Sequence, residues 1–369
     1  MQFIKFQIHA SEYNLNINYI ETTDYDNYHD IKNKLNLAKN LLDNIPENQY
    51  LYVSYLFDAF RSLKRTIAKT YNMQTVSNAT LKIYEIITQM NLINNKKISV
   101  FFNAELPGNF IVGLNHYLKT KYKKNSVLNW VASSYLSDTG TLGDTYGILN
   151  NNKDKWLMDH NMNGDMTQID NVIELSKRVL DRFPKGVDIY TSDAGLDVSS
   201  NYNEQEEQTL ILNYGQILCG LLTIKKGGTL ITKQFTYFTN LNSSLIILLS
   251  NLFEEFYITK PATSKPLNSE IYLIGIGYKG ITHDLKQFLI EKMPILNPNI
   301  PIVLYKFNDK LLESANYIYH HQINYINKAY EYYNNKTKTP PLPINEIQKE
   351  WLNSNPITSI EKRDYIPFN

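Results

Sequence analysis

Lys82 in ATLKIYEI, Asp193 in YTSDAG, Lys233 in GGTLITKQF and Glu270 in KPATSKPLNSE are four ionisable residues with chemistry to offer. A glycine turn, AELPGNF at 104–110, lies between the first and the second. Brought around one hydroxyl, two lysines and two carboxylates would meet the needs of a poor oxygen nucleophile, which are a base and a held geometry. One lysine can serve as the base when the other, as a near cation, and partial burial both lower its pKa. The carboxylates would hold the array in register.

Each position has a local reading of its own. Asp193 follows four largely apolar residues and precedes Ala194-Gly195, so it sits at the carboxyl end of a strand; a turn-forming aspartate before glycine reads as well. Lys233 ends the strand GGTLIT, two residues after Ile231, where apolar residues would usually continue. A lysine there is costly unless it has partners or a job. Glu270 opens a strand after a proline-containing loop. Lys82 lies inside a helix, and taken alone it reads as a solvated helix lysine. The stretch VFFNAELPGNF runs from strand into helix, the place where an open α/β sheet binds its ligand. Gly108 would let the backbone approach a ligand, Pro107 stiffens the turn, and the helix that follows offers free N–H groups. An ordinary strand-to-helix turn has the same pattern, and G-x-G-x-x-G is absent. Asp165, in GDMT, could accept a hydrogen bond from an adenine amino group or serve as a plain loop or helix-start acid.

These residues need elements to position them, and the hydrophobic periodicity supplies candidates. Residues 98–104, 126–132, 187–193, 228–234, 255–260 and 270–278 are predicted strands. Helical patterns near 77–92, 108–120, 169–183, 203–222 and 240–252 separate most of them. The alternation predicts an α/β fold with a mostly parallel sheet covered on both faces. Only a short loop joins the last two strands, so they are expected to pair as an antiparallel hairpin at one edge. Between 144 and 171 a polar loop precedes GDMT, read as a strand end and helix start. Three zones result: a helical N-terminal extension (1–75), a central domain (76–282) and a helical C-terminal extension (283–369). The first has an irregular start and helices near 30–44 and 48–70, with Leu51, Tyr55, Leu56, Phe60 and Leu63 on one face. The last has a Tyr-rich helix at 309–334 and an extended proline-rich tail, KTKTPPLP.

Bulk properties set the bounds. The chain has 369 residues, 43% hydrophobic and 20% charged, which describes a soluble globular protein with a substantial core. Its net charge is +1, so any nucleic-acid contact must come from a local basic patch and not from the overall field. Lys119, Lys121, Lys123 and Lys124 form one such cluster, with a solvated loop as the plainer account. A single cysteine, Cys219 in an apolar run, excludes intrachain disulfides and cysteine-rich zinc sites and reads as a core residue. His320 and His321 are adjacent on a helix and point apart, which argues against a metal pair. No apolar stretch is long enough to span a bilayer. The abundance of Asn, Ile, Lys and Tyr reads as translation of an AT-rich genome.

The segments NATLKIYEI, AELPGNFIVGLNHYL, NWVASS, NGDMT, DIYTSDAG, KGGTLITK and FEEFYITKPATSKPLNSEIYLIG, in that order, resemble the FtsJ-like RNA 2′-O-methyltransferases of large cytoplasmic DNA viruses. More distantly they are similar to eukaryotic cap-1 methyltransferases. The resemblance implies a Rossmann-like methyltransferase sheet and a Lys-Asp-Lys-Glu tetrad at Lys82, Asp193, Lys233 and Glu270. It implies S-adenosyl-L-methionine bound by Glu105, Leu106, Pro107, Gly108, Asn109, Phe110 and Asp165. Asn109 stands where relatives often have Gly, and Ala194 likewise; neither change removes a catalytic group. The implied reaction is methylation of a ribose 2′-hydroxyl on capped mRNA, with Lys233 as base and no metal needed, since the sulfonium already carries the leaving group. Host cytoplasm is the implied location, with packaging in the virion as a second, and capping or transcription proteins are the implied partners. Two alternatives stand beside it: the same chemistry on ribosomal or transfer RNA, and a catalytically silent RNA-binding scaffold.

Overall fold

Segments such as ISVFFNA and GTLIT are apolar on successive residues because a strand inside a two-sided sheet buries both of its faces. The computed structural model describes residues 1–14, 27–136, 143–159, 162–195, 202–335 and 341–368. Its strands among these are β1 (Ile4–Gln7), β2 (Tyr13–Asn14), β3 (Lys97–Asn103), β4 (Val127–Ser133), β5 (Val187–Ser192), β6 (Ile224–Gln234), β7 (Phe253–Lys260), β8 (Ile271–Tyr278) and β9 (Leu304–Tyr305). One seven-stranded sheet has the order β1-β7-β8-β6-β5-β3-β4, and β2 pairs with β9 apart from it. Strands β4, β3, β5 and β6 pair in parallel. β8 runs antiparallel between β6 and β7, so β7 points the same way as β6. The sheet is therefore mostly parallel in strand direction, and the carboxyl ends of β3, β4, β5, β6 and β7 share one edge.

Helices cover both faces. The N-terminal segment forms α1 (His29–Asp43), α2 (Glu47–Leu56) and α3 (Arg61–Thr70). The central region adds α4 (Asn78–Gln89), α5 (Asn109–Tyr122), α6 (Ile169–Arg182), α7 (Gln205–Gln208), α8 (Leu210–Thr223) and α9 (Asn240–Leu252). After the sheet come α10 (His283–Lys292), α11 (Asp309–Asn335) and α12 (Ile344–Ser354). Side chains alternate across each strand, as the two-residue period requires. Val100, Phe102, Ile189, Ile231 and Ile274 join one core with α4, α5 and Trp351. Phe101, Tyr190, Leu230 and Leu273 join the other with α6, α8, α9 and the first half of α11. Among the described residues no helix is long and apolar enough to cross a membrane.

Three local expectations are corrected, and a fourth lies largely outside the described residues. The β7–β8 hairpin forms, but it is not at the edge: β1 adds antiparallel to β7, pairing Ile4 with Lys260 and Gln7 with Tyr257. Four residues, IKFQ, carry too little pattern to announce a strand, and the open edge of β7 is what organises them. The predicted helix over 48–70 breaks in two. Asp58, buried between the halves, accepts the Phe60 N–H at 3.1 Å, a side-chain bond that competes with helical hydrogen bonding. The single apolar face is lost with it, for Leu51 and Tyr55 are exposed while Phe60 and Leu63 are buried. GDMT ends no strand: among the described residues only isolated bridges, Ala132 with Trp156 and Asp159 with Met162, precede it, and the motif is a turn before α6. In the C-terminal tail, 336–340 lies outside the described residues, and the chain is helical again in α12.

Candidate active site

The strand exits and α4 bring the four ionisable residues into two ion pairs. Lys82, on α4, places Nζ 2.7 Å and 2.8 Å from the two carboxylate oxygens of Glu270, which immediately precedes β8. Lys233, near the end of β6, places Nζ 3.2 Å from Asp193 Oδ1 and donates to the Asp193 backbone carbonyl at 2.9 Å. Asp193 directly follows β5. The β6–β8 register sets Tyr272 beside Lys233, and its hydroxyl donates to Asp193 Oδ1 at 2.8 Å. Lys82 is not the solvated lysine its helix suggested; it is 9% exposed and Glu270 5%.

The pairs also act on each other. Burial alone would lower the Lys82 ammonium, but Glu270 and then Asp193 outweigh it, and its pKa is raised. Burial alone would raise the Glu270 carboxyl, yet Lys82, Lys233 and the hydrogen bonds from Lys82 and Ser264 bring it down to about 2. Lys82 is thus held as a cation. Lys233, with one carboxylate and a backbone carbonyl as partners, is the lysine placed at the open end of the strands.

The glycine turn and the GDMT motif meet at the neighbouring exits of β3 and β4. Glu105 N donates to Ser133 O at 3.1 Å, and Leu106 N to Ser134 Oγ at 2.7 Å. Gly108 has φ +108°, and a Cβ there would sit 2.5 Å from the end of the Ile148 side chain. The glycine is needed for its left-handed backbone and for Ile148, which differs from the expected approach to a ligand. Nor are the first helical N–H groups free. Buried Glu105 accepts Phe110 N at 2.8 Å and Ile111 N at 3.0 Å, capping α5 from inside the turn. Asn109 Oδ1 accepts from Thr80 at 3.2 Å and ties the turn to α4. Asp165 Oδ1 accepts from Thr167 N and Oγ1 at 2.9 and 2.8 Å. Gly164 beside it, with φ +77°, lies where a Cβ would fall 2.2 Å from Ser134 O, so Asp165 is pressed against the exit of β4.

A parallel sheet with a glycine turn at one exit and paired lysines and carboxylates at the next two has a counterpart among known proteins. The family described as FtsJ-like methyltransferase matches residues 75–278. A protein named "Probable methyltransferase EP424R", from African swine fever virus, is 36% identical over 343 residues, covering 86% of this chain and 79% of that protein. The chain belongs to the FtsJ-like methyltransferase family. At greater distance, "Cap-specific mRNA (nucleoside-2'-O-)-methyltransferase 2" of Drosophila melanogaster is 27% identical over 282 residues, covering 74% of this chain and 40% of that protein.

The residues of this FtsJ-like methyltransferase fit the methyl donor that such an enzyme takes. Asn103 Oδ1 and Ser133 Oγ, at the ends of β3 and β4, are buried polar atoms with no hydrogen-bond partner among the described residues. Orphaned acceptors and donors of this kind are costly unless something completes them. Glu105 is fully buried close enough to Asp193 for the two charges to interact; burial first, then Asp193, raises its carboxyl well above the ordinary range. A cationic group bound at the exits of β3 and β5 would relieve both carboxylates.

Three further residues that the sequence did not single out shape the site. Glu85, one turn after Lys82 on α4, accepts Ala262 N at 2.9 Å, Thr263 N at 3.1 Å and Thr263 Oγ1 at 2.7 Å. It fixes the β7–β8 loop that delivers Glu270. The helical spacing of Lys82 and Glu85 was the available signal. Lys260, at the end of β7, donates to the backbone carbonyls of Asn268 and Glu270, each at 2.8 Å. Burial, with Lys82 acting the same way, brings its pKa down to about 8 despite Glu270. Ser264 completes the loop with a hydrogen bond to Glu270 Oε1.

The other sequence candidates are accounted for locally. Lys119 reaches Ser126 O at 3.2 Å and Asp364 at 3.8 Å, and Lys121 reaches Ile93 O at 2.6 Å, at the end of α5 away from the tetrad. His320 Nδ1 contacts Asn316 O at 2.8 Å, while His321 lies against the Tyr325 ring at 4.9 Å. Cys219 is buried in the sheet's core, where burial pushes its thiol up to about 12.

Proposed function

We propose that this chain transfers the methyl group of S-adenosyl-L-methionine to a ribose 2′-hydroxyl of RNA, with the first transcribed nucleotide of capped mRNA as acceptor. The observation that carries the reading is the pair of interacting ion pairs at the strand exits, beside orphaned polar atoms at the ends of β3 and β4. The cap preference rests on the likeness to the cap-specific mRNA methyltransferase of Drosophila melanogaster.

S-Adenosyl-L-methionine supplies an electrophilic methyl carbon on a sulfonium. The turn at Glu105–Phe110 and Asp165 would hold it, with Asp165 Oδ2 toward the adenine amino group and Glu105 near the cationic end. Lys233 Nζ, as the neutral amine left once its own proton has passed to solvent, would take the proton of the attacking hydroxyl as the methyl group is transferred. Asp193 and Tyr272 aim Lys233. Lys82, kept protonated by Glu270, stays as the fixed cation that steadies the oxygen. Holding nucleophile, methyl and sulfur in line supplies most of the acceleration.

The test is methyl transfer from labelled donor to capped and uncapped transcripts, followed by nuclease mapping. Label confined to the ribose of the first nucleotide of capped RNA is expected. Equal labelling of uncapped RNA at internal positions would move the reading to ribosomal or transfer RNA. No transfer by folded protein would leave the silent scaffold. For the cofactor itself, Asp165→Ala should weaken binding in calorimetry without RNA by about 1–3 kcal/mol, the value of one hydrogen bond to a group left unpaired. Unchanged affinity would remove Asp165 from the site.

A further inference from the structure

We infer that the N-terminal helices, outside the family-matched region, complete the active site by supplying a phosphate-binding cleft for the RNA strand that carries the acceptor ribose. This rests on the reading of the acceptor as RNA. A cavity of about 440 Å³ is lined by Tyr55, Asp58, Arg61 and Lys64 of the α2–α3 region, by Asn78 and Lys82 of α4, and by Lys265 and Asn268 of the β7–β8 loop. It therefore contains a lysine of the tetrad, and a strand seated in it would pass the site of chemistry.

Charge inside the cleft is uneven. Lys82 is neutralised by Glu270. Lys64 lies 3.7 Å from Asp58 and donates to Asn78, and Asp58 itself is buried and spends Oδ1 on the Phe60 N–H. Two cations are left over. Arg61 has its guanidinium 4.0 Å over the exposed Tyr55 ring, with no carboxylate partner among the described residues. Lys265, half-buried, has no side-chain partner among them either. The ring fixes the plane of the guanidinium, which lowers the ordering cost of a two-pronged contact to phosphate oxygens. A neighbouring cavity of about 600 Å³ shares Asn268 but carries Asp43 and Glu47 against Lys39, so a polyanion is steered toward Arg61.

The break between α2 and α3 acquires a purpose on this account. It leaves Tyr55 at the end of one helix and Arg61 at the start of the next, where both face the cleft.

The experiment measures binding of a short single-stranded RNA, with and without a cap, over a range of salt and without methyl donor. Arg61→Gln with Lys265→Gln should weaken binding roughly a hundredfold at low salt, since a charge-assisted contact is worth about tenfold or more. The slope of log affinity against log salt should fall by roughly 1.4, at about 0.7 per single-strand contact. Arg61→Lys should keep most of the slope. S-Adenosyl-L-methionine affinity should not move, which certifies the fold. An effect on a capped dinucleotide assigns the contact to the triphosphate bridge; an effect on 5′-hydroxyl RNA alone assigns it to the phosphodiesters. Unchanged affinity and slope in the double variant overturn the cleft, whatever the methylation assay shows. RNA binding that the double variant loses, together with no methylation by the wild-type protein, would keep the cleft and sink the enzymatic reading.

Discussion

Replacing Lys233 with alanine is expected to lower methyl transfer by a factor on the order of 10²–10⁴, the usual worth of a general base, while S-adenosyl-L-methionine affinity changes little. The side chain that is lost touches Asp193 by its carboxylate and its backbone carbonyl, and neither the 104–110 turn nor Asp165 depends on it. Tyr272 continues to hold the same Asp193 oxygen at 2.8 Å, so the strand exits keep their arrangement. The arginine variant makes the sharper test. Lys233→Arg preserves the ion pair and the positive charge, but a guanidinium stays protonated at any working pH and cannot take the hydroxyl proton. Single-turnover transfer to capped RNA should be as slow for arginine as for alanine. Near wild-type turnover in the arginine variant would make Lys233 a positioning cation and require another base.

The contrast between Lys233 and Lys82 shows what was legible in the sequence. Lys233 announced itself, because a lysine two residues after Ile231 in a buried strand must have partners, and the structure supplies Asp193. Lys82 did not. Its burial depends on Glu270 and on the β7–β8 loop that Glu85 and Lys260 pin in place; the contacts of Lys82 with Glu270 and of Glu85 with the loop span well over a hundred residues and leave no local periodicity. The strands from β3 to β8 were legible for a simple reason: each is a short apolar run bounded by turn residues. β1 was not, since its four residues become a strand only against the open edge of β7. The turn at 104–110 was legible as a place but not in its working. A glycine and a helix start suggest free N–H groups, while the acid two residues into the turn, Glu105, had already taken two of them.

The Lys82–Glu270 pair should prove costly to break and cheap to replace. Glu270→Ala leaves a buried ammonium uncompensated, and losses of this kind run to about 3–5 kcal/mol. Thermal unfolding should therefore drop by several degrees, and methyl transfer should fail. Substituting both partners, as Lys82→Met with Glu270→Leu, removes the charge problem and fills similar volume at two buried positions. Such swaps are commonly neutral or stabilising, so the double variant should recover most of the lost stability. Its methyl transfer should stay lost, because the fixed cation beside the hydroxyl is gone. The pH dependence separates the two effects further. Glu270 sits at about 2 in the folded chain, below the ordinary value of about 4.3 for an unfolded glutamate. Its contribution is therefore complete above the unfolded value and drains away as pH falls toward about 2. Lys82, raised above its ordinary value, contributes fully below the unfolded lysine value near 10.4 and loses that contribution only as pH rises through its folded one. Melting temperatures taken from pH 7 downward should fall more steeply for the wild type than for the double variant. Parallel curves would mean that the pair adds nothing to folding. A double variant that still methylated RNA would show that the cation is dispensable, and the division of labour between the two lysines would have to be abandoned.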